Sequence, residues 1–232
     1  MRRVYKQAQA VLAEPRGHRV VLDGRPLRTP GRREVVVPSA ALAAALAEEW
    51  NAQQTDVQPA TMPLTRLVAT ALDRMPVERD KIVADVAAYA GTDLVCYRAD
   101  HPPALAARQH AAWQPLLDWA ALHYDAPLEV TSGVIPTDQP RQSLHALAAV
   151  IAAQDDFRLA ALHAVTAACG SLVIALALVE GRLDAEAAFG VSQLDESFQI
   201  EAWGEDAEAA ERRRALGADI AAAARFLALL AE

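Results

Sequence analysis

Two carboxylates, Glu196 and Glu201, lie in a largely apolar stretch that ends at Trp203 and Gly204. Paired acids can perform general acid–base chemistry, but on a helix these two side chains would diverge by about 140°. That divergence argues against a catalytic dyad across one site. A carboxylate among apolar residues is costly unless it is paired, so we expect such an acid to need a partner in the protein or on another molecule.

A helix from Asp184 to Gly204 is predicted to position both acids. Asp184 can cap its first turn, and Gly204 can end it in the αL conformation. One side of this helix carries Ala187, Val191, Leu194 and Phe198, with Glu201 at its border. The roughly opposite side carries Phe189, Ile200 and Trp203 around Glu196. A surface helix needs one apolar stripe, so the second side is expected either to lie in the core or to bind a partner.

Other patterns that carry chemistry are missing from the sequence. Cys96 and Cys169 are isolated, without the spacing of a zinc site or a disulfide framework. The chain has only ten glycines, with no phosphate-binding loop and no G-x-S-x-G turn. We therefore expect no metal, nucleotide or other cofactor, and no enzyme. A hydrolase or transferase with an unrecognised site remains an alternative.

Charge is distributed unevenly along the chain. Residues 1–33 hold nine Arg or Lys against two acids, whereas residues 184–232 hold eleven acids against four Arg. The overall charge of −8 argues against nucleic acid as the main partner. Neither a secretory signal nor an apolar run long enough for a bilayer is evident, so we expect a cytoplasmic bacterial protein without stable membrane insertion. The absence of a long heptad run favours a monomer when free.

The pattern of secondary structure predicts an α+β fold, with a small N-terminal β-meander part followed by a larger all-helical part. His18–Leu22 is a predicted strand, and Asp23-Gly24 is a type I′ turn signal that leads into the next strand. From Leu64 onward apolar residues recur at helical spacing, including one long predicted helix from Phe157 to Val179. We expect a β-rich domain at residues 1–60 and a helical domain at residues 61–232.

Several segments together carry a family resemblance. They are Leu22-Asp23-Gly24-Arg25-Pro26-Leu27-Arg28-Thr29-Pro30, Met62-Pro63-Leu64-Thr65-Arg66-Leu67, Tyr89-Ala90-Gly91-Thr92-Asp93-Leu94-Val95-Cys96-Tyr97-Arg98, Trp113-Gln114-Pro115-Leu116-Leu117-Asp118-Trp119-Ala120, Gly170-Ser171-Leu172 and Phe198-Gln199-Ile200-Glu201-Ala202-Trp203-Gly204. In this order they resemble the assembly chaperones of the ATP synthase F(1) sector, specifically the group that handles the α subunit.

The resemblance implies a chaperone without enzymatic activity, which binds the free α subunit until the β subunit replaces it. The family's functional acid lies in the segment that ends at this Trp-Gly pair. Glu196 and Glu201 are both candidates, and the helical geometry favours Glu196. The expected partner-binding residues are Glu196, Trp203, Ile200, Phe189 and Glu201. A scaffold or interaction module for another protein remains the alternative.

Overall fold

The computed structural model describes residues 2–133 and 137–231, and the chain divides into two compact units. The first unit contains the chain up to Arg79, Asp155–Ala161 and the residues from Ala222 onward. The second contains Asp80–Gln154 and Leu162–Ala221. The expected boundary between a β-rich domain at residues 1–60 and a helical domain at residues 61–232 stays a prediction.

A small antiparallel sheet forms the N-terminal part of the first unit. Its strands are β1 (Ala8–Leu12), β2 (His18–Leu22), β3 (Arg25–Pro26) and β4 (Val36–Val37). β2 pairs with each of the other three. Asp23 and Gly24 have φ angles of 49° and 80°, as a type I′ turn requires, so the turn prediction is confirmed. β1 was not predicted, because four of its five residues are exposed and no apolar alternation marks it.

Three helices follow this sheet along the chain, and the first of them packs against it. They are α1 (Ala40–Asn51), α2 (Pro63–Ala69) and α3 (Met75–Ala88), with a π-helical turn at Thr70–Arg74. Ser39 caps α1 by accepting a hydrogen bond from the amide of Leu42 at 3.0 Å. Leu42 and Leu46 of α1 are fully buried in one cluster with Val20 of β2. The core is therefore built between the sheet and the inner face of α1.

The remaining structure is mostly helical. Its helices are α4 (Pro103–Tyr124), α5 (Arg141–Ala152), α6 (Asp156–Cys169), α7 (Leu172–Val179), α8 (Ala185–Ser192), α9 (Leu194–Trp203) and α10 (Ala207–Ala231). Two short strands, β5 (Tyr97–Arg98) and β6 (Thr131–Ser132), pair in parallel. The expected α+β class, with a small strand-rich N-terminal part and a larger helical part, is confirmed. Within the described residues, no helix combines the length and apolarity needed to cross a bilayer.

The predicted single helix from Phe157 to Val179 is wrong, because the chain breaks between α6 and α7. Gly170 takes a φ of 64°, which ends α6, and Ser171 then caps α7 through the amide of Ile174 at 3.0 Å. All eight residues of α7 are buried. The break was missed because α6 and α7 are both largely apolar, and the apolar pattern does not mark the capping residue between them.

Candidate functional site

The predicted helix from Asp184 to Gly204 consists of two helices, so the expectation of one continuous helix was wrong. Gln193, with φ −108° and ψ 25°, separates α8 from α9. The indole nitrogen of Trp113 donates to the carbonyl of Val191 at 2.8 Å. In a continuous helix that carbonyl would accept from the amide four residues later, so Trp113 takes the place of a helical hydrogen bond. The two predicted apolar sides therefore do not run unbroken along the stretch.

The two ends of the stretch, at Asp184 and Gly204, lie at the residues predicted from the sequence. Asp184 caps α8 by accepting from the amide of Ala187 at 2.8 Å. Gly204 ends α9 with a φ of 82°, but its ψ of 173° is extended and differs from the expected αL conformation. The chain then enters α10 three residues later, so α9 and the first half of α10 become neighbours joined by a short turn.

A groove of about 420 Å³ lies between α9 and the first half of α10. Four α9 residues at helical spacing form one wall: Glu196, Gln199, Ile200 and Trp203. Residues of α10 form the other: Ala209, Arg212, Arg213 and Leu216. This volume is in the range of pockets that bind small molecules or single side chains of a partner.

Trp203 is the most exposed large apolar residue of this groove. Its side chain is 80% exposed at the last position of α9, whereas Ile200, one turn earlier, is half-buried. Exposed tryptophan is uncommon on a surface that never meets a partner, and tryptophan is enriched among the residues that dominate binding energy. The exposed ring makes this end of the groove the candidate contact surface.

Glu196 lies on the same wall, exposed and seven residues before Trp203. Its side chain forms no hydrogen bond and no ion pair with any other residue in the part of the chain that the structure describes. Its neighbour Asp195, by contrast, accepts a hydrogen bond from the side-chain amide of Gln109 at 2.8 Å. The Glu196 carboxylate can accept hydrogen bonds from a cation or an amide brought by another molecule.

Glu201 faces a different neighbour. Its carboxylate lies 2.8 Å from the guanidinium of Arg108 in α4, and that guanidinium also lies over the ring of Phe198, 5.1 Å from its centroid. Both side chains of the ion pair are about half exposed. Glu201 does not line the groove, so the two candidate acids lie in separate environments.

Phe189 also lies outside the groove lining. Its ring lies under the guanidinium of Arg213, at 5.5 Å, and against Gly217 of α10. A Cβ atom added to Gly217 would lie 3.6 Å from this ring, which is an ordinary van der Waals distance, so the contact does not require glycine. Of the five residues expected from the sequence, the structure brings Glu196, Ile200 and Trp203 together and places Phe189 and Glu201 elsewhere.

The α10 wall contributes groove residues that sequence reasoning missed. Arg213 donates to the hydroxyl of Ser197 at 3.1 Å and lies 3.7 Å from the carboxylate of Glu205. Arg212 pairs with Glu208 at 2.7 Å on the exposed side. The apolar spacing of Ala209 and Leu216 was a signal for a helix face in α10. The sequence did not indicate that this face lies opposite α9.

Asp93 is a buried acid with a strongly raised pKa. It is fully buried, and burial raises its pKa to about 6. A hydrogen bond from the side chain of Ser171, and hydrogen bonds from the amides of Val173 and Val95 at 3.1 Å and 3.2 Å, partly oppose that rise. The carboxylate joins the turn at Leu94–Cys96 to the first turn of α7, where the helix dipole also favours it. We interpret it as a structural cap, sealed from any substrate.

The two cysteines are likewise unsuited to catalysis. Cys96 and Cys169 are both buried, and burial raises the pKa of the first thiol to about 12 and of the second to about 11. A thiol with a raised pKa holds its proton at neutral pH and is a poor nucleophile. Among the described residues, no group of three or more His, Cys, Asp or Glu is arranged to hold a metal ion.

The chain is similar to known proteins in both sequence and structure. A family model described as ATP12 chaperone protein matches residues 2–121, which end before α8 and α9. The mitochondrial protein atp12 of Schizosaccharomyces pombe is 25% identical over 200 residues, which cover 80% of this chain and 68% of that protein.

Solved structures extend the similarity over the whole chain. The crystal structure of Atp12 from Paracoccus denitrificans has 43% sequence identity and a TM-score of 0.92, covering 99% of this chain and 98% of that one. The Atu1473 protein of Agrobacterium tumefaciens has 42% identity and a TM-score of 0.93, covering 99% of this chain and 86% of that one. The similarity therefore includes α9 and α10, which form the groove.

Proposed function

Because the chain belongs to the ATP12 chaperone family, whose members assist ATP synthase assembly, we propose that it binds the free α subunit of the F(1) sector and releases it when the β subunit takes its place. A free subunit of such a ring exposes a large apolar interface that its neighbour normally covers. A protein that covers part of this interface prevents aggregation until assembly. No covalent chemistry is needed for this role, so we propose a binding protein rather than an enzyme.

The observation that carries this proposal is that Trp203 and Glu196 lie on the same wall of the α9–α10 groove. Trp203 offers a large exposed ring, and Glu196 offers a carboxylate without an internal partner in the described chain. An apolar anchor next to an unpaired charge is typical of a protein-binding surface, since the ring supplies buried area and the charge supplies specificity. We expect a segment of the α subunit to fill the groove and to bring an arginine, lysine or amide donor to Glu196.

The size of the groove fits a complex that must later dissociate. At about 420 Å³ it accepts a limited part of a partner, so we expect an affinity below that of the interface between α and β subunits. The β subunit, with a larger and better matched surface, would then displace the chaperone by competition. We expect no requirement for nucleotide or metal in this exchange.

Co-expression with the α and β subunits tests the proposal. We expect the protein to elute with the α subunit on size-exclusion chromatography, and to elute alone, as a monomer, once the β subunit is added. Two buried free cysteines suit a reducing compartment, so we propose the cytoplasm as its location. An α subunit that stays separate at micromolar concentration of both proteins would contradict the proposed function.

A further inference from the structure

An apolar pocket of about 460 Å³ lies in the first unit, apart from the residues that form the α9–α10 groove. It opens between the hairpin that joins β3 to β4 and the helices α1 and α2. Its apolar lining includes Leu27, Val35, Leu46, Trp50, Met62 and Val68. A pocket of this volume, with mostly apolar walls and few polar groups, has the properties of a ligand-binding site.

Hydrogen bonds fix the hairpin side of this pocket. The hydroxyl of Thr29 and the amide of Gly31 both donate to the carboxylate of Asp73, at 2.6 Å and 2.8 Å. Asp73 belongs to the π-helical turn that follows α2, and such turns occur often at functional sites. The tip of the hairpin is thereby attached to the turn that follows α2, the helix that lines the opposite wall.

A second carboxylate fixes α1 to α2 on the other side. Glu49 of α1 accepts hydrogen bonds from the amide of Leu64 and from the amide and hydroxyl of Thr65, each at 2.8 Å. Both walls are therefore held in place by the protein's own contacts, and the pocket is formed before anything binds. Preformed pockets avoid the entropic cost of ordering on binding.

Trp50 is the pocket-lining residue whose polar group lacks a partner. Its side chain is buried, and its indole nitrogen has no acceptor within the described residues. The hydroxyls of Thr29 and Thr65, by contrast, both donate to carboxylates. A buried donor without an acceptor is unfavourable, so an occupant that brings a carbonyl oxygen to this wall would remove that cost.

The mouth of the pocket is basic. Arg28 and Arg66 are exposed and belong to its lining, and Arg32 and Arg33 follow in the same hairpin tip, also exposed. Arg28 forms an ion pair with Glu34 at 3.4 Å, and an exposed pair of this kind contributes little to stability. An occupant with negative charge beside its apolar part would match this distribution.

We propose that this pocket binds one apolar side chain of an extended, acidic segment of a protein partner. The apolar side chain fills the pocket, a backbone carbonyl of the segment accepts from the Trp50 indole, and flanking carboxylates pair with the arginines of the hairpin. A fatty acid would match the apolar walls and the arginines. It would place only alkyl carbons near the indole, so the peptide accounts for one more feature of the site.

Fluorescence polarisation with short labelled peptides tests the proposal on the full chain. The probe has a central leucine flanked by aspartate and glutamate, and two control peptides carry either lysine flanks or a central serine. We expect saturable binding of the probe and at least about ten-fold weaker binding of each control, since one loses charge complementarity and the other loses the apolar anchor.

Variants in the pocket show whether the probe binds there or elsewhere on the surface. Ala69→Phe fills the pocket from α2, and Arg28→Glu reverses one charge at its mouth; each is expected to weaken probe binding at least about ten-fold. Arg25→Glu is the matched control, because Arg25 is exposed in β3 but does not line the pocket, and it is expected to keep probe binding. Circular dichroism checks that each variant folds. If Ala69→Phe does not fold, the binding measured with Arg28→Glu tests the proposal instead.

Several results would overturn the proposal. Equal binding of the three peptides, or binding that neither Ala69→Phe nor Arg28→Glu changes, would remove the pocket as the site. If dodecanoate binds to the pocket and the probe peptide does not compete with it, the occupant is a lipid. Self-association that Ala69→Phe abolishes would make it a second copy of the chain. No ATP synthase subunit enters this test, so its outcome is independent of the proposed function.

Discussion

The carboxylate of Glu201 lies 2.8 Å from the guanidinium of Arg108, so one of the two candidate acids is already paired within its own chain. Arg108 belongs to α4, and the pair links α9 to that helix. Glu196, on the groove wall of the same helix α9, has no such partner among the described residues. The structure thus gives two acids five residues apart different environments, one paired with α4 and one unpaired among the described residues.

Removing the ion pair should have a small effect on folding. We expect Arg108→Ala to lower the free energy of unfolding by about 1 kcal/mol or less, because exposed ion pairs are screened by water. Urea denaturation of Arg108→Ala, Glu201→Gln and the double variant measures the coupling between the two residues. A coupling above about 2 kcal/mol would show that the pair is shielded more strongly than its exposure indicates.

Asp93 should make stability depend on pH in an unusual direction. Its pKa in the folded protein, about 6, lies above the ordinary value of 3.8, so the folded state holds the proton more tightly than the unfolded state. Stability from this group is therefore greatest below pH 4 and is lost as pH rises through 6. We expect Asp93→Asn to abolish this dependence, which is on the order of 3 kcal/mol between pH 4 and pH 7.

Urea denaturation at several pH values measures the difference between wild type and Asp93→Asn. The comparison removes the contribution of other carboxylates, which titrate in both proteins. If the two unfolding free energies run parallel from pH 4 to pH 7, Asp93 does not titrate in this window and its burial has been compensated by its hydrogen bonds.

Ser171→Ala should destabilise the second unit. The Ser171 hydroxyl caps α7 through the amide of Ile174, and the residue is completely buried. We expect a loss of about 1 to 2 kcal/mol and a lower melting temperature, since the orphaned amide has no water to replace the cap. Asp184→Ala is a matched comparison at the exposed cap of α8, where water can replace the carboxylate and a smaller loss is expected.

The sequence was sufficient for features that depend on a few neighbouring residues. Asp23-Gly24 specified a type I′ turn, and Asp184 and Gly204 marked the two ends of their stretch, because caps and turns are local chemistry. The break at Gln193 was missed, since it coincides with a hydrogen bond from Trp113, far away in the chain. The periodicity of apolar residues cannot predict a tertiary contact of this kind.

The site itself was only partly accessible from the sequence. Helical spacing correctly grouped Glu196, Ile200 and Trp203 on one side of α9, where the structure places them along one groove. Phe189 was grouped with them only under the assumption of an unbroken helix. The α10 wall and the pairing of Glu201 with Arg108, 93 residues away, depend on how helices pack, which periodicity does not specify.

Trp203→Ala should separate binding from folding. A side chain that is 80% exposed contributes little to the core, so we expect the unfolding free energy to change by less than about 0.5 kcal/mol. Binding to the α subunit should weaken at least about ten-fold, because the ring is the largest exposed apolar group in the groove. Isothermal titration with purified α subunit measures the loss. Leu122→Ala, another exposed apolar residue, serves as control and should bind normally.

The most direct test of the account is a binding titration of the α subunit with Glu196→Lys and Glu201→Lys, each checked for folding by circular dichroism. We expect Glu196→Lys to fold normally and to lose binding by at least about 100-fold, because it would place like charges together in a desolvated groove. Glu201→Lys should bind with a much smaller loss, since its side chain faces Arg108. If Glu196→Lys folds and binds normally, or if Glu201→Lys is the more damaging change, the α9–α10 groove is not the surface that receives the α subunit.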